Sequence, residues 1–416
     1  MQLSADESSA LGDDGPPWLS MAMRIVVDAA RLLGAPRLVP ITSAHIDGCL
    51  YHGDAGVHFV ERLATLGGQV TVPASLNVGA LDLIHPELVR ADARYREMAA
   101  RQMRAYLALG CDATWTCAPY QVGRRPARGE FVAWAESNAV VFANAVLGAR
   151  TNRNGDFLDI CCALSGRAPY YGLYLDEQRH ATLLIDARGL SPALRDEDAF
   201  YPVLGAWLGA HAGAEVAVID GLPRALSEDR LKALGAGAAA CGAVGMFHIA
   251  GVTPEAPDVL TACGGRPPRE RIVLSAAMLR AARDALSTVA GDALDCIALG
   301  SPHFSEHECR ALAALLAGRR AACPIHVCTS REMLARIEAD STRAALERCG
   351  VSFVVDTCVV VTPVLAAGGG VMMTNSAKFA HYAPANTGYA SVFGSLADCA
   401  ASALAGRVVR DERTWQ

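Results

Sequence analysis

Arg37-Leu-Val-Pro-Ile-Thr-Ser43, running directly into Ala44-His-Ile-Asp-Gly48, is the stretch on which the fold turns. A short apolar run that gives way to Ser, His and Asp predicts a strand over 37–43 with a polar loop at its carboxyl end. Upstream, residues 20–33 predict a helix, with Met21, Ile25, Val26, Ala29 and Leu32 on one side. Downstream, residues 55–66 predict a second helix and 69–73 a second strand, which ends in Ser75, Leu76, Asn77, Val78 and Gly79. Strand, helix and strand, with polar residues past each strand, make a βαβ unit and predict an α/β protein.

The same style continues along the chain. Residues 87–109 predict a long helix, with Leu88, Ala91, Tyr95, Met98, Ala99, Met103 and Tyr106 at helical spacing. Arg90, Arg94, Arg101 and Arg104 form its solvated face. A strand-like 114–116 leads into Cys117-Ala-Pro-Tyr120, and a helix over 131–147 carries Glu136, Ser137 and Asn138. Later, 216–219, 296–299 and 353–361 predict strands, while 275–289, 306–317 and 331–349 predict helices. Gly264-Gly-Arg-Pro-Pro268 is the candidate linker, dividing the chain into 1–263 and 270–416 with 264–269 between them.

Composition bounds the function. The chain has 416 residues, 52% hydrophobic and 19% charged, enough to bury several cores and unlike a disordered chain. With 37 basic and 43 acidic residues, the formal charge of -6 excludes a general nucleic-acid binder. Small anionic substrates stay open, because one or two local cations suffice for them. Residues 1–17 lack the basic and apolar regions of a signal peptide, and the most apolar stretches, 236–252 and 351–364, are interrupted too early to span a membrane. These features predict a soluble, cytoplasmic protein. No GxGxxG follows the first strand, which argues against a nucleotide-dependent oxidoreductase.

Fourteen cysteines are present, with no CxxC pair. In a reducing compartment they are thiols, most of them small buried hydrophobes. The adjacent Cys161 and Cys162 have poor geometry for holding one metal, so a metal site would be assembled from distant positions. In open α/β sheets, ligands bind outside the carboxyl ends of strands. Loops 45–48, 75–79, 117–120, 301–303 and 374–378 are all expected there, converging on one site. Each loop taken alone is an ordinary turn. The group at 124, 125 and 128 reads as a solvated basic turn.

Ile41-Thr-Ser-Ala-His-Ile-Asp-Gly-Cys-Leu-Tyr51, Ser75-Leu-Asn-Val-Gly-Ala80 and Cys117-Ala-Pro-Tyr120 together resemble the aconitase X family. So do Trp134-Ala-Glu-Ser-Asn-Ala139, Gly148-Ala-Arg-Thr-Asn-Arg153, Gly300-Ser-Pro-His303, Asp356-Thr-Cys358 and Thr374-Asn-Ser-Ala-Lys378, in the family's order from about residue 3 to 405. The resemblance implies an aconitase-like, multi-lobed α/β large region with a strand-end active site. It also implies that a small swivelling domain, not evident in this chain, is supplied as a separate subunit.

The implied reaction is loss of water from a small hydroxy acid: cis-3-hydroxy-L-proline, giving pyrroline-2-carboxylate, or mevalonate 5-phosphate. The segments around Glu136 and Gly300 are more similar to the hydroxyproline members. The implied cofactor is an iron-sulfur cluster (2Fe–2S or 4Fe–4S) or a mononuclear iron, with ligand positions at Cys117, Cys358 and Ser301. Serine is a much poorer iron ligand than thiolate, so position 301 departs from the three-cysteine pattern. Another thiol taking over is one alternative, with Cys161 and Cys162 as spares leaving a strand through Asp159-Ile160; a non-catalytic assembly or regulatory subunit is another.

The family's Ser-x-Lys segment places Ser376 as the general base, with Lys378 stabilising its alkoxide or pairing with the substrate carboxylate. His45 and Asp47, with Gly48 between loop and helix, order water or substrate. Ser75 and Asn77 offer neutral hydrogen bonds. Glu136, beside Ser137, holds a substrate ammonium or else pairs with Arg150 or Arg153, and His303 is a candidate cap for the next helix.

Overall fold

Strands that are mostly buried carry both halves of the chain. A computed structural model describes residues 1–12 and 15–415. It divides into two compact units: Met1–Leu81 with Ala91–His180, and Asp82–Arg90 with Ala181–Gln416.

In the first unit, β1 (Leu38–Pro40) pairs antiparallel with β5 (Arg167–Pro169). A separate parallel sheet is formed by β2 (Ala44–Ile46), β3 (Ala74–Leu76) and β4 (Ala133–Trp134), in the order β3-β2-β4. The expected strand over 37–43 is therefore two strands in two sheets, and His45 belongs to a strand rather than to the loop after it. Residues 69–73 and 114–116 are not strands; the paired residues are 74–76. Three-residue strands that are buried throughout give no alternating pattern, so periodicity does not locate them.

The long helix starts at Ala93 and ends at Ala108, because the Asp92 side chain caps it by accepting the Tyr95 N–H at 2.7 Å. Arg90 consequently leaves the predicted solvated face: its amide and Nε donate to Pro363 and Val364 within the second unit. The expected helix 131–147 is β4 followed by helix Ser137–Phe142 and a π-turn over Ala143–Leu147. Residues 158–165 form a helix, not a strand end, so Cys161 and Cys162 are fully buried helical residues.

The second unit holds two all-parallel sheets. One has the order β8-β7-β6-β9, from β6 (Leu183–Asp186), β7 (Ala217–Asp220), β8 (Phe247–Ile249) and β9 (Glu270–Val273). The other has the order β12-β11-β10-β13-β14, from β10 (Cys296–Phe304), β11 (Ile325–Thr329), β12 (Val351–Val355), β13 (Gly370–Thr374) and β14 (Tyr389–Phe393). Its two faces carry distinct apolar clusters: Ile297, Leu299, Val327 and Phe353 on one side; Cys296, Ala298, Cys328 and Val354 on the other. The predicted helix 331–349 is broken into Arg331–Ala339 and Thr342–Arg348. Residues 264–269 join helix Val259–Ala262 to β9.

Candidate active site

The first unit brings the His45, Ser75 and Glu136 segments together. His45 sits on the central strand with Ser75 opposite it in register, and its Nδ1 lies 2.8 Å from Ser75 Oγ. Burial lowers its pKa to about 4, against the opposing influence of Glu136 and a Thr116 backbone hydrogen bond, so the ring is neutral near pH 7. Its Nε2 is buried and, among the described residues, has no hydrogen-bond partner. Glu136 does stand at the mouth of a helix, where its carboxylate caps Ala139 N–H at 2.7 Å and accepts from Ser137 Oγ at 3.3 Å. Arg150 is engaged elsewhere, by Asp176 and the Tyr174 carbonyl.

Past β2 the chain turns through Asp47 and Gly48 under a set of clamps. Asp159 Oδ2 accepts the Asp47 amide at 2.7 Å and that of Gly48 at 3.3 Å. Gln102 Nε2 and Tyr106 Oη donate to the Gly48 carbonyl at 2.7 and 2.9 Å. A Cβ on residue 48 would lie 2.8 Å from that Tyr106 hydroxyl, so a larger residue there would push the hydroxyl off the Gly48 carbonyl. Asn77 Nδ2 donates to Asp47 Oδ1, while Asn77 Oδ1 stays without a hydrogen-bond partner among the described residues. Cys117 is buried in the same unit, and its carbonyl accepts from Asn138 Nδ2 at 3.1 Å. Arg124, of the basic turn, is exposed and pairs with Asp112 at 2.9 Å.

The second unit brings Ser301, Ser376, Lys378 and Cys358 together. The strand that was expected to stop at 299 runs on to Phe304, with a bulge over 300–303. Ser376 Oγ donates to the Ser301 carbonyl and accepts Phe379 N–H at 3.1 Å, capping helix Ala377–Thr387. His303 does not cap the following helix; Ser305 does, and His303 Nε2 lies 3.1 Å from the Thr357 carbonyl.

Cys358 follows Asp356, whose φ of 64° is left-handed and whose carboxylate is held by Arg331 at 2.6 Å on both oxygens. Burial pushes the Cys358 thiol up. Hydrogen bonds to Cys328, Val360 N–H and Ser301, with the positive Lys378, outweigh burial and leave it below the ordinary thiol value. An environment that favours thiolate fits a ligand to iron. By contrast, burial drives the Cys161 and Cys162 thiols up, so they do not fit as spare ligands. Among the described residues, no three His, Cys, Asp or Glu side chains gather as a metal-binding group.

The sequence does not disclose the roles of Asp159 and Asp356, or the place of Cys328 beside Cys358. An acid inside an apolar run, as in Asp159-Ile-Cys-Cys and Val354-Val-Asp356, was the available signal for the first two, since such charges are retained only when bonded.

Comparison with known proteins places this arrangement among enzymes that remove water. The chain is 44% identical, over its whole length, to cis-3-hydroxy-L-proline dehydratase of Pseudomonas aeruginosa, and 42% identical over 92% of its length to that of Hypocrea jecorina. It spans 72% of the first relative and 65% of the second. The large subunit of phosphomevalonate dehydratase from Methanothermobacter thermautotrophicus is 39% identical, over 90% of this chain and 92% of that one. A crystal structure of the holo-form of Thermococcus kodakaraensis aconitase X superposes with a TM-score of 0.87 at 32% identity, covering 97% of this chain and 100% of the other. The class is therefore hydro-lyase. The first, second and third domains described for aconitase X match residues 1–177, 181–284 and 294–405, and the chain belongs to the aconitase X family. No helix of the described residues is long and apolar enough to cross a membrane.

Proposed function

We propose that the chain is the large catalytic part of a cytoplasmic hydro-lyase that removes water from cis-3-hydroxy-L-proline, giving pyrroline-2-carboxylate. The observation that carries the substrate is the 44% and 42% identity to two cis-3-hydroxy-L-proline dehydratases, against 39% for the phosphomevalonate relative. The phosphomevalonate dehydratase relatives named large subunits support a separate small subunit as the working partner.

Dehydration requires a base for the proton beside the carboxylate and help for a departing hydroxide. Iron bound through thiolates would supply Lewis acidity toward that hydroxyl. Cys358 and Cys117, each argued from its own unit, are the proposed thiolate donors, and Ser301 is a weak oxygen donor beside the first. Ser376 takes the proton. Its Oγ lies at the positive end of an 11-residue helix, and both that dipole and Lys378 lower the cost of an alkoxide. Neutral His45 offers Nε2 to substrate or water, oriented by Ser75 at Nδ1. Asp47 and Gly48 with Asn77 present hydrogen-bonding groups in a fixed loop, and Glu136 with Ser137 receives the substrate ammonium.

Assaying cis-3-hydroxy-L-proline and mevalonate 5-phosphate side by side, with the small partner co-expressed and the protein purified without oxygen, tests the reading. Turnover of the hydroxyproline is expected. Turnover of mevalonate 5-phosphate alone would overturn the substrate. Unchanged activity in a Cys117→Ala/Cys358→Ala double variant that carries no iron would overturn the iron chemistry.

A further inference from the structure

Position 301 lacks the thiol that the three-cysteine pattern requires, yet a different thiol stands beside it. Leu299 of β10 pairs with Val327 of β11, and the next pair is Phe304 with Thr329. Four residues, 300–303, therefore bulge opposite a single residue of the neighbouring strand, and that residue is Cys328. Contact is close: a Cβ on Gly300 would lie 2.1 Å from the Cys328 carbonyl oxygen, and Gly300 takes a φ of 91°. Only glycine, with no side chain and free left-handed geometry, lets residue 300 come this near to the Cys328 backbone.

The side chain of Cys328 points to the same face as Cys358. Strand alternation puts Val327 in one apolar cluster, whereas Cys328 shares the other with Cys296, Cys358 and Val359. Cys328 Sγ accepts the Val359 N–H at 3.4 Å, one residue beyond Cys358, and its thiol is hydrogen-bonded to that of Cys358. The Cys358 thiol is thus hydrogen-bonded to both the Cys328 thiol and the Ser301 hydroxyl. Cys296, at the opposite end of β10, does not share this corner of the bulge.

We infer that Cys328 supplies the thiolate missing at position 301, so that the second unit offers iron the pair Cys328 and Cys358. The inference rests on the iron-dehydratase reading and specifies its donor set. Thiolates are the soft, charged donors that hold iron and iron-sulfur clusters, whereas a serine hydroxyl holds either poorly. A pair from adjacent segments of one unit chelates better than one thiolate with a hydroxyl.

The test is iron and acid-labile sulfide content, with visible and paramagnetic-resonance spectra, of the oxygen-free large-plus-small complex. Wild type is compared with Cys328→Ser, Cys296→Ser and the double variant Ser301→Cys/Cys328→Ser. Cys328→Ser is expected to lose most of its iron and to change its spectrum, while Cys296→Ser keeps both. Restoring a thiol at 301 in the double variant is expected to recover at least half of the iron, which separates lost ligation from lost folding. Full iron and an unchanged spectrum in Cys328→Ser would overturn the inference and leave the dehydratase reading standing. Wild-type protein without iron that still dehydrates hydroxyproline would overturn both the inference and the iron chemistry.

Discussion

Asp159 accepts the amides of Asp47 and Gly48 from a fully buried position, and desolvation raises its pKa to about 7. A carboxyl whose folded pKa is raised binds its proton more tightly folded than unfolded. Its contribution to stability is complete below about pH 4, the unfolded value, and is lost as pH rises through 7. Asp159→Asn keeps an acceptor and cannot ionise, so its thermal midpoint relative to wild type should climb between pH 4 and 8. Scanning calorimetry over that range checks this, and a constant difference would contradict it. The conservative variant should also loosen the Asp47 loop and raise KM more than it lowers kcat. Of these groups, His45, Asp47, Gly48, Ser75 and Asn77 were legible as polar residues grouped around short apolar runs. The acid that holds them was not, because its partners are backbone amides 112 and 111 residues away in sequence and main-chain donors leave no trace in residue type.

Turns placed beside strands decide where the thiols of the second unit lie. Asp356 holds a left-handed φ of 64°, a conformation that costs on the order of 1–3 kcal/mol for a non-glycine residue, and Arg331 keeps it there. Arg331 is 42% exposed, so solvent screens the pair. Even so, Arg331→Ala leaves a buried carboxylate without its fork, and a loss of about 1–3 kcal/mol in urea unfolding is expected. Gly300→Ala is the harsher change, because both the φ of 91° and the Cys328 carbonyl oppose a Cβ. Overpacking against backbone is expected to cost at least about 1–3 kcal/mol and to displace Ser301 and Ser376 together, read as a lower melting temperature with loss of turnover. The glycine itself was visible in the sequence. Its role was not, since the apolar run 296–299 hid a strand that continues, bulged, through Ser301 to Phe304. Amphipathic helices were recovered more faithfully: residues 20–33 became Pro17–Leu32 and 306–317 became Glu306–Leu316, as their one-sided apolar faces required.

At the scale of the whole molecule, the chain leaves its first unit at Leu81, contributes Asp82–Arg90 to the second, and returns at Ala91. Asp82 Oδ2 accepts the Val355 amide at 2.8 Å, Leu83 N–H donates to Asp356 at 3.3 Å, and Arg90 bonds to Pro363 and Val364. This segment therefore flanks both ends of the turn that carries Cys358. A fragment spanning 181–416 should show fast amide exchange at Val355 and melt below the full chain, whereas adding a peptide of residues 82–90 should slow that exchange. Unaltered protection in the fragment would contradict this role. The excursion was illegible because nine residues without a composition change mark it, and only their distant partners define it. During synthesis, 82–90 leaves the ribosome long before Val355 exists. At about 5–20 residues per second the segment waits on the order of 10–50 seconds before its bonds to Val355 and Asp356 can form.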